Sequence, residues 1–265
     1  MRTFPTEFAD LLSPKGLRVL SGAGALSAEN RFVATTGLLD PRQAAGALEL
    51  IDRTLRDVLT EMNDPIPEWT ITGMQDNYGE LLPKTVRVRT AMLESRRSKA
   101  WQRANDIGLL GVMKSASFHA FAQALSGYSL RKGWGTQVLC YLPGDYSGPH
   151  NDHHPEDADA RDGYIDLHLT LCTKGVAEQQ LIYAKAGHFT ESASVATVGG
   201  ITCYRLPFWH LTTPMKAKPG AEKTARRWVL LGTFLDAKKK GEPIKPIVRQ
   251  ARTSPRRSPP RAHAD

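Results

Sequence analysis

The chain has 265 residues, 41% hydrophobic and 23% charged, the balance of an ordinary globular protein with room for one large buried core. No apolar run approaches the roughly 20 residues a bilayer-crossing helix needs, and the start MRTFPTEFADLL lacks the charged-then-apolar plan of a secretory signal, so a cytoplasmic protein is expected. The net charge of +8 belongs to the tail: from Lys238 onward nine Lys/Arg face two acids, leaving 26 against 25 in residues 1–237. A near-neutral body argues against a duplex-binding surface, while the tail could touch nucleic acid or an anionic surface non-specifically.

In chain order, residues 41–62 read as a helix. Asp40 suits the N-cap and Pro41 the first turn, and Leu48, Ile51, Leu55, Val58, Leu59 and Met62 recur at helical spacing before Asn63-Asp64-Pro65. Residues 98–108 and 115–126 predict two more helices, the second capped by Ser115, striped by Phe118, Phe121, Ala122 and Leu125, and ended by Gly127. After Gly133 the texture turns to short strand-like runs at 136–142, 164–172, 179–184, 194–198, 201–206 and 227–235. His188 falls in an expected loop between two of them. Cys140, Cys172 and Cys203 lie singly in such runs, which argues against a disulfide framework or a zinc site and predicts buried thiols. The ending RQARTSPRRSPPRAHAD has too little apolar content to pack and is expected to be disordered. The chain is thus expected to divide into an N-terminal helical region (1–130) packing on a β-rich core (131–237) and a disordered basic tail (238–265).

One segment carries chemistry: Gly144-Asp-Tyr-Ser-Gly-Pro-His150-Asn-Asp152-His-His-Pro155. On an extended strand His150 and Asp152 would point to one face, about 6–7 Å apart. A third ligand must come from elsewhere, and His210, 58 residues after Asp152, follows a predicted strand. Two imidazoles and one carboxylate on one side of a metal form the facial triad of non-heme Fe(II) oxygenases, which leaves positions free for other ligands. Cysteine ligands would themselves be oxidised in such a site. His154 shares the strand face of 150 and 152 and makes a rival local chelate. His210 is preferred because one strand rarely supplies all three facial ligands. The acidic run Glu156–Asp162 beyond this segment would suit a cationic substrate.

Residues 134–236 resemble the catalytic core of the Fe(II)/2-oxoglutarate-dependent dioxygenases, nearest to the prolyl-hydroxylase-like branch. The resemblance rests on four pieces in order: Cys140-Tyr141-Leu-Pro-Gly144, His150-Asn-Asp152, Gln180-Leu-Ile-Tyr183 followed by Gly199 to Tyr204 and Trp209-His210, and Arg226-Arg227-Trp-Val-Leu-Leu-Gly-Thr-Phe234. It departs from the pattern in the 17-residue gap from His210 to Arg227 and in Gln179-Gln180 where glycines are expected.

The resemblance implies an α+β chain with a double-stranded β-helix core of jelly-roll or cupin-like type, buttressed by N-terminal helices. It also implies Fe(II) held by His150, Asp152 and His210, with 2-oxoglutarate and O₂ as co-substrates. Arg227 is the expected anchor of the 2-oxoglutarate carboxylate, with Arg226 as the alternative, and Tyr141 a second contact. Alternation favours Arg227, because it shares a face with Val229, Leu231 and Thr233. The implied reaction is hydroxylation of a small molecule, an amino acid or a peptidyl side chain, releasing succinate and CO₂. His168 and Thr170 could line the same cavity, although a core histidine is the commoner explanation of such a residue. Two other readings stand beside it: a cupin-like metal enzyme that does not use 2-oxoglutarate, and a non-catalytic binding protein on the same scaffold.

Overall fold

The computed structural model describes residues 3–22, 32–66, 85–152 and 164–237. The basic tail, the acidic run 156–162, His153, His154 and His263 lie outside the described residues.

Among the described residues, eight strands build the core. They are β4 (Leu130–Tyr141), β5 (Tyr146–His150), β6 (Tyr164–Cys172), β8 (Gln180–Lys185), β9 (His188–Ser194), β10 (Val198–Arg205), β11 (His210–Thr212) and β13 (Arg227–Asp236). Their pairing gives two four-stranded antiparallel layers, β10-β6-β13-β4 and β5-β11-β8-β9. The chain crosses repeatedly between the two layers as it advances, which is the winding of a double-stranded β-helix. Short β7 (Val176–Glu178) and β12 (Lys216–Ala217) pair with each other beside it.

The first 130 residues contribute strands as well as helices. β1 (Phe32–Thr35) adds to the free edge of β10. β3 (Thr85–Ala91) pairs with both β4 and β5 and so joins the two layers. The predicted helix 41–62 is shorter than its periodicity suggests. It runs Pro41–Leu55, capped by the Asp40 carboxylate accepting from Arg42 and Gln43 backbone N–H at 2.9 and 3.0 Å. A 3₁₀ turn, Arg56–Val58, follows, and then β2 (Thr60–Pro65). Sheet pairing overrides local spacing here: β2 pairs with β3 along its length, and Met62, opposite Val88, packs against the barrel interior. Helices Lys99–Asp106 and Ala116–Ser126 stand where expected, with Ser98 and Ser115 accepting from Trp101 and Phe118 N–H and Gly127 left-handed at the second helix's end. Residues 194–198 do not form a strand of their own; β9 begins earlier, at His188, and β10 at Val198.

Strand β13 shows how the two faces of the core divide. Trp228, Leu230 and Phe234 point toward the helices, where Phe8, Phe118 and Phe121 fill the main hydrophobic cluster. Arg227 and Val229 alternate onto the other face, and Val229 packs with Tyr141 and Cys172 inside the barrel. Helix Ala116–Ser126 can seat on β13 because residue 232 is glycine: a Cβ there would lie 2.7 Å from the Phe118 ring. The three cysteines are free and buried, and burial pushes the Cys172 thiol up to about 11. Among the described residues no helix is long and apolar enough to cross a membrane.

Gly232→Ala should therefore force Phe118 off the sheet and destabilise the protein by about 1–3 kcal/mol, the usual range for overpacking. Chemical denaturation would show this as a lowered midpoint with an unchanged slope. An unchanged midpoint would mean that the helix seats elsewhere.

Candidate metal centre

The centre is built first by strand pairing. β11 lies antiparallel to β5 with His210 directly opposite His150, so the two imidazoles face each other with centroids 4.4 Å apart. Each ring is oriented from behind. His150 Nδ1 lies 2.6 Å from the Gly148 carbonyl and His210 Nδ1 2.8 Å from the Phe208 carbonyl. A ring nitrogen that donates to a carbonyl must carry the proton, so in a neutral ring Nε2 is the nitrogen that could serve as a metal ligand.

Asp152 reaches the same point by a different route from the one its spacing suggests. β5 ends at His150, and Asp152 lies past the strand with a left-handed φ of 51°. The expected same-face alternation along a strand is therefore replaced by a backbone turn. Aspartate is among the few residues that adopt this conformation at modest cost. The Tyr164 hydroxyl donates to the Asp152 carbonyl and holds the turn against β6. The carboxylate then lies with Oδ1 3.4 Å from His150 Nε2 and Oδ2 3.8 Å from His210 Nε2. One ligand atom from each of His150, Asp152 and His210 falls within 4.8 Å of the others, a grouping that fits a single ion. His210 is buried, and burial lowers its pKa to about 4, helped by neighbouring His150 and opposed by Asp152. It is therefore neutral, as a ligand must be.

Tyr204, on β10, was not singled out by the sequence reading. Its hydroxyl lies 3.4 Å from His210 Nε2 and 3.1 Å from His168 Nε2. His168 is thus hydrogen-bonded inside the barrel, and its pKa falls to about 3 through burial and the Arg227 cation. Phe208 stacks against both Tyr204 and His210, and Phe32 of β1 stacks on Phe208. The aromatic wall behind the distal histidine thus includes a residue from the N-terminal region.

At the other end of the interior, β13 separates the two arginines. Arg226 faces outward, with Nε 3.6 Å from Asp52 and its guanidinium donating to the Thr224 and Lys223 carbonyls. Arg227 is buried, 3% exposed, with its guanidinium 4.9 Å above the ring of Tyr141, its cross-strand partner. Its Nη1 donates to Gln179 Oε1 at 3.0 Å, and its Nε has no hydrogen-bond partner among the described residues. No carboxylate among the described residues pairs with it, and burial lowers its pKa. Gln179 is fully buried and also donates to the Asp145 and Thr213 carbonyls. It stands where the sequence departed from the expected glycine, and that departure was the one signal that could have flagged it.

No family model and no curated protein matches the sequence. Solved structures do align with it at low identity. A prolyl hydroxylase from Trichoplax adhaerens, in complex with a hypoxia inducible factor peptide, is 13% identical over 84% of this chain and 89% of its own, with a TM-score of 0.46. An oxidoreductase of the 2OG-Fe(II) oxygenase family from Burkholderia pseudomallei is 15% identical over 89% and 93%, also with a TM-score of 0.46. A Pseudomonas putida prolyl-4-hydroxylase is 13% identical over 83% and 98%, again with a TM-score of 0.46.

Two outcomes follow from the site's electrostatics. A histidine whose folded pKa lies below its unfolded value binds fewer protons folded than unfolded between the two. In metal-free protein, His210 and His168 therefore cost stability as pH falls from about 6.5 toward about 4, each by at most about 1.4 kcal/mol per pH unit. Denaturation at stepped pH should give a steeper loss for the wild type than for His168→Phe, and equal slopes would contradict a neutral His168. Gln179→Leu should cost about 1.5–3 kcal/mol, since it removes the Oε1 acceptor of a buried cation; a loss below 0.5 kcal/mol, roughly the least a hydrogen bond contributes, would mean Arg227 finds another.

Proposed function

We propose that this chain is an Fe(II)- and 2-oxoglutarate-dependent oxygenase that hydroxylates a C–H bond of an organic substrate. The observation that carries the reading is the convergence of His150, Asp152 and His210 on one point inside the barrel. The donor set fits the metal: two imidazoles whose Nδ1 atoms face backbone carbonyls, and one carboxylate. The far end fits the co-substrate: a buried guanidinium with an unused Nε, beside the Tyr141 ring, suits a planar carboxylate.

In this reading His150, Asp152 and His210 hold the iron, and Arg227 and Tyr141 hold the distal carboxylate of 2-oxoglutarate. Bound iron and 2-oxoglutarate, with O₂, supply the oxidising power for hydroxylation and leave succinate and CO₂. The chain's own part is positioning. The Gly148 and Phe208 carbonyls fix the imidazoles, Gln179 aims Arg227, and Tyr204 presents a hydroxyl beside His210. The enclosing strands keep bulk water from the reacting atoms.

Anaerobic addition of Fe(II) and 2-oxoglutarate should produce a metal-to-ligand charge-transfer absorption. Asp152→Ala and His210→Ala should abolish it. Arg227→Ala should weaken 2-oxoglutarate binding roughly tenfold or more, since a charge-assisted hydrogen bond contributes about 1.5–3 kcal/mol. Metal binding with no response to 2-oxoglutarate, in wild type and Arg227→Ala alike, would replace this reading with that of a cupin-like metal enzyme.

A further inference from the structure

A cavity of about 270 Å³ lies where the end of β9 and the following loop face β10, with β1 along its rim. Six of its eleven lining residues carry hydroxyls: Thr35, Thr36, Thr170, Ser194, Thr197 and Thr202. None of the lining residues is charged. Thr170 and Thr202 are 1% and 4% exposed, and the Oγ1 of each has no hydrogen-bond partner among the described residues. Buried hydroxyls in folded proteins nearly always have a partner, so two orphans at one cavity point to something that fills it. Gly200, the cross-strand partner of Thr170, makes room for the Thr197 hydroxyl at the cavity wall: a Cβ there would lie 2.0 Å from Thr197 Oγ1.

The cavity adjoins the metal centre through two strands. Thr202 and Tyr204 share one face of β10, and Thr170 and His168 share one face of β6. Thr202 lies directly opposite His168, which bonds the Tyr204 hydroxyl beside His210. A charged group entering a pocket without a counter-charge would lose its hydration for no return, whereas alcohol groups can exchange donor and acceptor roles with threonine.

We propose that this cavity binds the uncharged, hydroxyl-rich part of the substrate, a polyol or sugar-like group. The substrate role rests on the oxygenase reading; the binding itself rests on the cavity alone. The test is calorimetric titration of the full-length protein with myo-inositol and D-glucose, compared with cationic D-glucosamine and anionic D-glucuronate. The neutral compounds should bind roughly tenfold or more tightly than the charged ones. Thr170→Val combined with Thr202→Val should reduce that binding roughly tenfold or more. Ala193→Leu, on the part-exposed rim, should block it without touching the buried hydroxyls. Absence of neutral binding, equal binding of charged compounds, or binding unaffected by both variants would overturn the proposal. The Fe(II)/2-oxoglutarate absorption keeps the two readings apart. Absorption without polyol binding removes the cavity's role, and polyol binding without absorption removes the oxygenase.

Discussion

The site depends on one strand pairing. β11 is only three residues long, yet its register against β5 sets His210 opposite His150, and its register against β8 sets the same residue opposite Tyr183. A slip of one residue would turn His210 to the other face of its strand. The long strands stabilise the barrel, but this short one decides whether a metal can be held. β11 is itself held on both edges, by β5 and by β8, and Gln179 ties its end to the turn before β5 through the Thr213 and Asp145 carbonyls.

The interior is polar for a protein core, and the stability for this comes from the opposite face of the same strands. The side of β10-β6-β13-β4 that meets the helices is filled with Phe, Leu and Ile, and it contains the main hydrophobic cluster. Burial on that face, at about 25 cal/mol per Å² of apolar surface, favours folding strongly enough to carry the other. The barrel side buries a guanidinium, two neutral histidines next to a tyrosine, and threonine hydroxyls without partners. Each of these is unfavourable in isolation. They lie along the barrel interior that holds the candidate metal centre and the hydroxyl-lined cavity, where bound groups could satisfy them.

Much of this was legible from residue spacing. The capped helix at Ala116–Ser126, strand β6 and strand β13 stand close to where apolar periodicity put them, because their patterns agree with their surroundings. Alternation along β13 also separated buried Arg227 from outward Arg226. Other features were not legible, for identifiable reasons. β2 continued a helical pattern but found a strand partner, and no local rule anticipates β3 twenty residues later. Tyr204 looks like any strand aromatic until the fold brings it beside His210. Asp152 was placed in the site for a reason that does not apply, since it joins His150 through a left-handed turn instead of strand alternation.

That turn also explains why a carboxylate so close in sequence can serve here. Continued as a strand, residues 150 and 152 would stand about 6–7 Å apart along the backbone. The left-handed φ at Asp152 folds the chain back, bringing its carboxylate within 3.4 Å of His150 Nε2 and 3.8 Å of His210 Nε2. A β-branched or large residue would resist this conformation, glycine would accept it without a ligand atom, and asparagine would accept it without the charge. Aspartate meets both the backbone and the ligand requirement. The strain at this position and the chemistry of the site therefore select the same residue, and the Tyr164 hydroxyl on the Asp152 carbonyl links that choice to the first residue of β6.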